Sequence, residues 1–75
     1  MTHANRIIVD AKIMGGQPIV KGTRITVALI LRELGRGATP VEIIDQYPHL
    51  TAEDICAAAA YAADVVSGET LMAAE

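Results

Sequence analysis

The sequence predicts a small α+β domain that is mostly helical, with a short N-terminal β element (6–27) ahead of a helical core (27–67). Two observations support this class. Short β-branched runs bounded by Gly and Pro fill the first third of the chain, as in strands and turns. Helical apolar spacing starts at Val27, and two segments with N-terminal capping residues follow, at Thr39 and Thr51. A chain of 75 residues forms one domain, which we place at 1–68, and we expect 69–75 to be a flexible tail.

The β element begins with the run at 6–10, Arg-Ile-Ile-Val-Asp, which predicts a strand. After a loop at 11–18, two short apolar runs flank Lys21-Gly-Thr-Arg24. Gly22 suits the first central position of a type II′ turn, so we expect a hairpin between 19–20 and 25–27. The alternative, a phosphate-binding loop, needs several glycines and a Lys-Ser/Thr pair that opens a helix. Strand-like residues around one glycine favour the hairpin, although its two basic residues can also contact a nucleic-acid backbone.

The first helix is predicted by Val27, Ile30, Leu31 and Leu34, whose spacing makes one apolar face. Arg32 and Arg36 lie off that face and should point to solvent. Gly35 and Gly37 are expected to end the helix.

Two further helices are predicted by capping residues. Thr39-Pro40-Val41-Glu42 is a capping box that opens a short helix, and Pro48 ends it. Thr51 and Asp54 repeat the arrangement ahead of a longer helix at about 52–67, which Gly68 should terminate. Its apolar face is predicted to hold Ile55, Ala59, Ala62 and Val66.

The small size of the chain favours an oligomer. A monomer of this length buries too little surface to be more than marginally stable. A single cysteine, Cys56, rules out an intrachain disulfide, and the distant His3 and His49 argue against a metal site. We therefore expect a homodimer in which Ile7, Ile8 and Val9 pair between chains, because that strand lacks an obvious local partner.

Charge is divided sharply along the chain. Residues 1–37 hold six basic and two acidic side chains, a net of +4, whereas residues 38–75 hold seven acids and no Lys or Arg, a net of −7. The division suggests one anionic and one cationic partner, or simply an unevenly charged surface. No signal peptide and no membrane-spanning run is recognisable, which favours a cytoplasmic protein.

The layout at 39–66, a short helix, a tight turn and a longer helix, matches a helix-turn-helix. The chemistry of the second helix does not suit DNA, because it carries no basic residue and begins with Glu53 and Asp54. We expect an acidic partner-binding face instead, formed by Glu53, Asp54, Tyr61 and Asp64; the alternative is a plain solvated face. The residues expected to contact DNA phosphates are Lys21, Arg24, Arg32 and Arg36.

Enzymatic residues are not recognisable. The sequence holds no H-E-x-x-H or G-x-S-x-G motif, and no His-carboxylate pair beside a nucleophile. Cys56 is expected to be a small core residue and His49 a turn residue. We therefore expect a binding protein without catalytic activity, cofactor or small-molecule substrate.

Two segments resemble a known family. GGQPIVKGTRITV at 15–27 and GATPVEIIDQYPHLTAEDICAAAAYA at 37–62 are similar to the bacterial domain-of-unknown-function-433 family, over about residues 7–66. The resemblance implies a homeodomain-like helix-turn-helix core behind a small β element. It assigns motif positions first to Gly16, Pro18, Gly22, Thr23 and Arg24, and then to Tyr47, Pro48, Leu50, Thr51, Asp54 and Ile55.

The resemblance also implies a function. Such proteins often look like the antitoxin halves of type II toxin–antitoxin pairs, whose toxins have a PIN-like nuclease fold. We expect an antitoxin-type protein that neutralises its toxin and represses its own promoter. The alternative is a stand-alone helix-turn-helix regulator without a toxin. Gly16, Pro18, Gly22, Thr23, Thr39, Pro48 and Thr51 are expected to serve structure alone.

Overall fold

The computed structural model describes the backbone of residues 5–74 and the side chains of residues 5–68. The elements are β1 (Ile7–Val9), β2 (Pro18–Val20), α1 (Val27–Gly35), α2 (Pro40–Gln46) and α3 (Ala52–Ala74), with one 3-10 turn at Met14–Gly16. The expected mostly helical α+β fold, with a β element ahead of three helices, is confirmed. His3 and Glu75 lie outside the described residues, as do the side chains of the expected tail. No described helix is both long and apolar enough to cross a membrane.

The sheet pairs β1 with β2 of the same chain in antiparallel register, with Ile7 opposite Val20 and Val9 opposite Pro18. The Lys21 amide donates to the Arg6 carbonyl at 2.7 Å, so Arg6 and Lys21 form a hydrogen-bonded pair of the ladder. Hydrogen-bonded and non-hydrogen-bonded pairs alternate along an antiparallel ladder. Val9 and Pro18 form a non-hydrogen-bonded pair, so the ladder needs no amide donor from the proline. β1 therefore has a local partner, and the reason given above for pairing β1 between two chains was wrong.

The Lys21–Arg24 segment is a turn, but not the hairpin that we predicted. The Thr23 amide donates to the Val20 carbonyl at 3.0 Å, so Lys21 and Gly22 are the central residues. Gly22 has φ +83° at the second central position, as in a type II turn and unlike the type II′ expected. A single bridge joins Ile19 to Thr26, and Val27 already belongs to α1. The residues before the turn pair with β1, and a helix starts soon after the turn. Too few residues therefore remain between turn and helix for a second hairpin strand.

Helix α1 forms as predicted, because its apolar face covers the sheet and α3. Val27 and Ile30 are buried, and Thr26 caps the N-terminus by accepting from the Leu29 amide. Gly37 has φ +96° just beyond the C-terminus. Its amide donates to the carbonyl of Leu34, and the next amide donates to that of Glu33. These two bonds make a Schellman motif, which needs a residue of positive φ at this position.

The capping boxes of α2 and α3 are confirmed. Thr39 accepts from the Glu42 amide at 3.2 Å, and Glu42 Oε1 accepts from the Thr39 amide at 2.8 Å. Thr51 and Asp54 make the same two bonds at 3.2 and 3.0 Å. Between the helices, the Leu50 amide donates to the Tyr47 carbonyl and closes the tight turn. The chain thus has the helix-turn-helix layout that the sequence indicated.

Two details of α3 were predicted wrongly. The helix continues through Gly68 to Ala74, because glycine inside a helix costs only about 1 kcal/mol and no proline follows. Its buried face holds Ile55, Ala57 and Ala58, whereas Ala59 and Val66 are exposed. An alanine-rich helix has too few large side chains to define its inner face by spacing alone.

Candidate functional site

An open cavity brings together the two motifs that are far apart in the sequence. It encloses about 490 Å³ beside the sheet, and we call it the aliphatic groove. Its lining residues are Ile8, Ile13, Ile19, Gly22, Thr23, Arg24, Ile25 and His49. The sequence predicts turns at Gly22, Thr23, Arg24 and His49, but no local pattern predicts that residues 22–24 share a cavity with residue 49.

Thr23 holds one rim of the groove in place. Its hydroxyl donates to the Val20 carbonyl at 2.8 Å and accepts from the Ile25 amide at 3.0 Å. The Val20 amide donates to the Ile25 carbonyl at 2.9 Å, which holds the two ends of the turn together. The Gly-Thr-Arg motif therefore closes a loop, and Arg24 projects from it as an exposed side chain.

The other rim comes from the tight turn between α2 and α3. Pro48 and His49 are its central residues, and the first central position of such a turn favours proline. Leu50 anchors the turn, because it is 2% exposed and belongs to the hydrophobic core. His49 is exposed and lines the aliphatic groove. It therefore lines the same cavity as Arg24, although the two residues lie in different turns of the chain.

The basic residues proposed to contact DNA lie in two separate pairs. Lys21 and Arg24 precede α1, whereas Arg32 and Arg36 lie in and after its last turn. A helix of nine residues is about 13 Å long, so the pairs flank opposite ends of α1. All four side chains are exposed, as predicted for phosphate contacts. The Arg36 Nη1–Glu33 Oε2 distance of 3.3 Å marks an exposed ion pair, which contributes little.

Asp54 is not part of an acidic contact face. It is 7% exposed, and its Oδ1 accepts from Arg6 Nη1 at 3.0 Å. Its Oδ2 accepts from the Thr51 amide. The carboxylate therefore caps α3 and joins it to the start of β1. The cap was predictable from the sequence, but the ion pair was not, because its partners are 48 residues apart.

The other acidic-face residues divide between core and surface. Tyr61 is half-buried and packs against the core, so it offers little area to a partner. Glu53 and Asp64 are exposed, and their spacing of eleven residues places them on one side of α3, three turns apart. The four predicted residues thus do not form one continuous surface.

The end of α3 extends past the packed core. From Ala63 to Gly68 every side chain is exposed, including Val65 at 54% and Val66 at 60%. Val65 continues the inner stripe of Asp54, Ala58 and Tyr61, at spacings of 4, 3 and 4. We call residues 63–74 the projecting end of α3. The sequence did not reveal it, because we ended the helix at Gly68.

The outer face of α3 is formed by small residues. Ala52, Cys56, Ala59 and Ala63 are exposed and follow one another at spacings of 4, 3 and 4. Cys56 was expected in the core, and the structure places it on this surface instead. Within the described part of the chain, no group of three or more His, Cys, Asp or Glu side chains is placed to hold a metal ion.

The three side chains of the expected dimer strand differ in their surroundings. Ile7 is buried in the core, and Ile8 lines the aliphatic groove. Val9 alone is largely exposed. Packing within the chain thus buries one of the three side chains, that of Ile7.

Comparisons with known proteins agree with this fold. A family model described as "Protein of unknown function (DUF433)" matches residues 7–62. The chain is also similar to the crystal structure of a DUF433 member from Anabaena variabilis ATCC 29413, with a TM-score of 0.79 and 32% identity. That match covers 96% of this chain and 71% of the other. No protein with a curated description matches. By the extent of these matches, over both motifs and all three helices, the chain belongs to the DUF433 family.

Proposed function

We propose that this protein is the antitoxin-type member of a type II toxin–antitoxin pair, and that it neutralises a PIN-like nuclease by covering it. The observation that carries the proposal is the projecting end of α3. Val65 lies on the core-facing side of α3 where no core remains, and Val66 is exposed beside it. Exposed apolar side chains on a protruding helix suit a protein partner, since each buried valine contributes about 1.5 kcal/mol or more.

A protein partner fits α3 better than a DNA groove does. A recognition helix needs Arg, Lys, Asn or Gln to form hydrogen bonds with base edges. The outer face of α3 offers Ala52, Cys56, Ala59 and Ala63, which lack such groups, and Glu53 beside them repels phosphate. A basic surface on the partner would complement Glu53.

Repression of its own promoter is the second part of the proposal. The exposed basic pairs at the two ends of α1 would contact DNA phosphates, which gives affinity without base recognition. In this arrangement the acidic half of the chain faces the toxin and the basic half faces the operator. A cytoplasmic location follows from both partners.

The experiment is co-expression with the product of the adjacent open reading frame, followed by pull-down and a nuclease assay. Val65→Asp should abolish capture and release nuclease activity, because it buries a carboxylate in an apolar contact. Val41→Asp is the matched control, since Val41 is 72% exposed on α2 and should tolerate the same change without loss. Equal loss in both variants, or no loss in either, would contradict the proposal.

We also propose that the protein is a homodimer. This proposal rests on the small core alone. The β1 strand no longer supports it, since β1 is paired within the chain. Sedimentation at micromolar concentration should give twice the chain mass. A wild-type monomer would end this part of the proposal.

The second candidate function is a stand-alone DNA-binding regulator. The helix-turn-helix layout of α2, the Tyr47–Leu50 turn and α3 favours it. The two functions differ in what the isolated protein does. Tight operator binding that is unaffected by Val65→Asp, with no capture of the neighbouring gene product, would favour the regulator.

A further inference from the structure

The walls of the aliphatic groove are built for an apolar ligand. Ile8, Ile13, Ile19 and Ile25 line it, and Ile19 is almost completely buried at 1% exposure. Its volume of about 490 Å³ lies within the range of small-molecule sites, roughly 300–1,000 Å³. An aliphatic body placed there would replace water against apolar surface.

The charge of the groove has one sign. Among its lining residues the ionisable groups are Arg24 and His49, and none is a carboxylate. Within the described residues, Arg24 makes no ion pair or side-chain hydrogen bond. The guanidinium is thus free to hold a carboxylate through two parallel hydrogen bonds.

Several amides of the turn beside the groove are already hydrogen-bonded, which favours a small acid over a peptide. A peptide bound along a groove needs main-chain donors and acceptors. Here the amides of Val20, Thr23 and Ile25 already donate to groups of the same turn. The Thr23 hydroxyl both donates and accepts within it. The polar side chains left for a ligand are those of Arg24 and His49.

We propose that the aliphatic groove binds a short free aliphatic carboxylate, with its chain against the isoleucines and its carboxylate on Arg24. This site is separate from the projecting end of α3 and does not depend on the proposed antitoxin function. The six-carbon acid hexanoate is a suitable probe, because hexan-1-ol and hexylamine have the same chain with a neutral or cationic head.

The test is a titration of the ¹⁵N-labelled protein followed by two-dimensional NMR. Hexanoate should give saturable shifts at the amides of residues 8 and 22–25, whereas hexan-1-ol should bind more weakly and hexylamine more weakly still. Arg24→Gln should weaken hexanoate binding about tenfold or more, since a charge-assisted bidentate contact is lost. Arg32→Gln, at the far end of α1, removes the same charge and should change nothing. The dispersion of the spectra shows whether each variant is folded.

Several results would overturn the proposal: no saturation by about 10 mM, equal binding of hexylamine, or shifts confined to residues 63–68. Equal weakening by Arg24→Gln and Arg32→Gln would reduce the effect to net charge and would also overturn it. N-acetyl-leucine distinguishes a polypeptide C-terminus from a free acid. If it binds more tightly than hexanoate, the ligand is a peptide end and the free-acid assignment is wrong. His49→Gln gives a second variant at the opposite rim, where a smaller loss of affinity is expected.

Discussion

Individual residues of the first motif serve the backbone more than they serve chemistry. Gly22 allows a positive φ in a type II turn, and an added Cβ would meet no atom within 4 Å. Thr23 ties the turn to β2 and to Ile25. Pro18 begins β2 where its missing amide is not needed. Arg24 alone leaves its side chain free within the described residues, and for this reason it is the functional candidate of the motif.

The turn can be tested at Gly22. Gly22→Ala should lower the free energy of unfolding by about 1 kcal/mol or more, because alanine is strained at φ +83° and no clash adds to the effect. Gly35→Ala is the matched control, since Gly35 lies in α1 with open space around it, and alanine there should be neutral or stabilising. Urea unfolding measures both variants. Equal midpoints for Gly22→Ala and wild type would exclude strain at the turn.

At the scale of elements, α3 connects most of the molecule. It packs against α1, α2 and β1, and Asp54 joins its first turn to Arg6 ahead of β1. The ion pair itself contributes little, because the Arg6 side chain is 42% exposed. The buried carboxylate oxygens matter more, since they satisfy the Thr51 amide and hold the cap together.

Asp54→Ala should therefore destabilise the fold by about 1–3 kcal/mol, through the lost cap and the amide left without its acceptor. Glu53→Ala, one residue earlier and exposed, should stay within about 0.5 kcal/mol of wild type. Thermal or urea unfolding followed by circular dichroism compares the two variants. Similar losses in both would mean that overall negative charge matters here, and the buried contact does not.

At the scale of the whole molecule, four exposed basic residues lie in two pairs near the two ends of α1. Lys21 and Arg24 precede its start, and Arg32 and Arg36 lie in and after its last turn, while most of the acidic residues belong to α2 and α3. Such a molecule can present a basic surface to DNA and an apolar, acidic helix to a protein. The two surfaces are separate enough to be tested by independent substitutions.

The proposed DNA surface can be tested by the salt dependence of operator affinity. Replacing Arg32 and Arg36 together by alanine should weaken binding and flatten the slope of log affinity against log salt by nearly two units, at about 0.9 for each contact. Lys12→Ala removes an exposed charge outside the proposed surface and should leave the slope unchanged. Glu53→Gln should leave binding unchanged or improve it, and Asp54 is kept because it is buried. A silent arginine pair with loss of binding in Glu53→Gln would show that α3 docks on DNA.

The sequence by itself determined the helices and their starts. The apolar face of α1 and the capping boxes at Thr39 and Thr51 depend on neighbours within four residues, so local spacing was sufficient. The need for a positive φ at Gly22 was also local. The exposure of Arg32 and Arg36 followed from their positions off the apolar face of α1.

Tertiary structure alone decided which distant residues meet. Pairing of β1 with β2 depends on a loop between them, and an isolated strand pattern does not name its partner. The same holds for Arg6 and Asp54, which form an ion pair, and for Arg24 and His49, which line the same cavity. The end of α3 escaped local reasoning for another reason: glycine only weakly opposes a helix, and helix-forming residues follow it. Where local preferences for and against a helix are nearly equal, packing and the length of the element decide which side chains are buried and which are left for a partner.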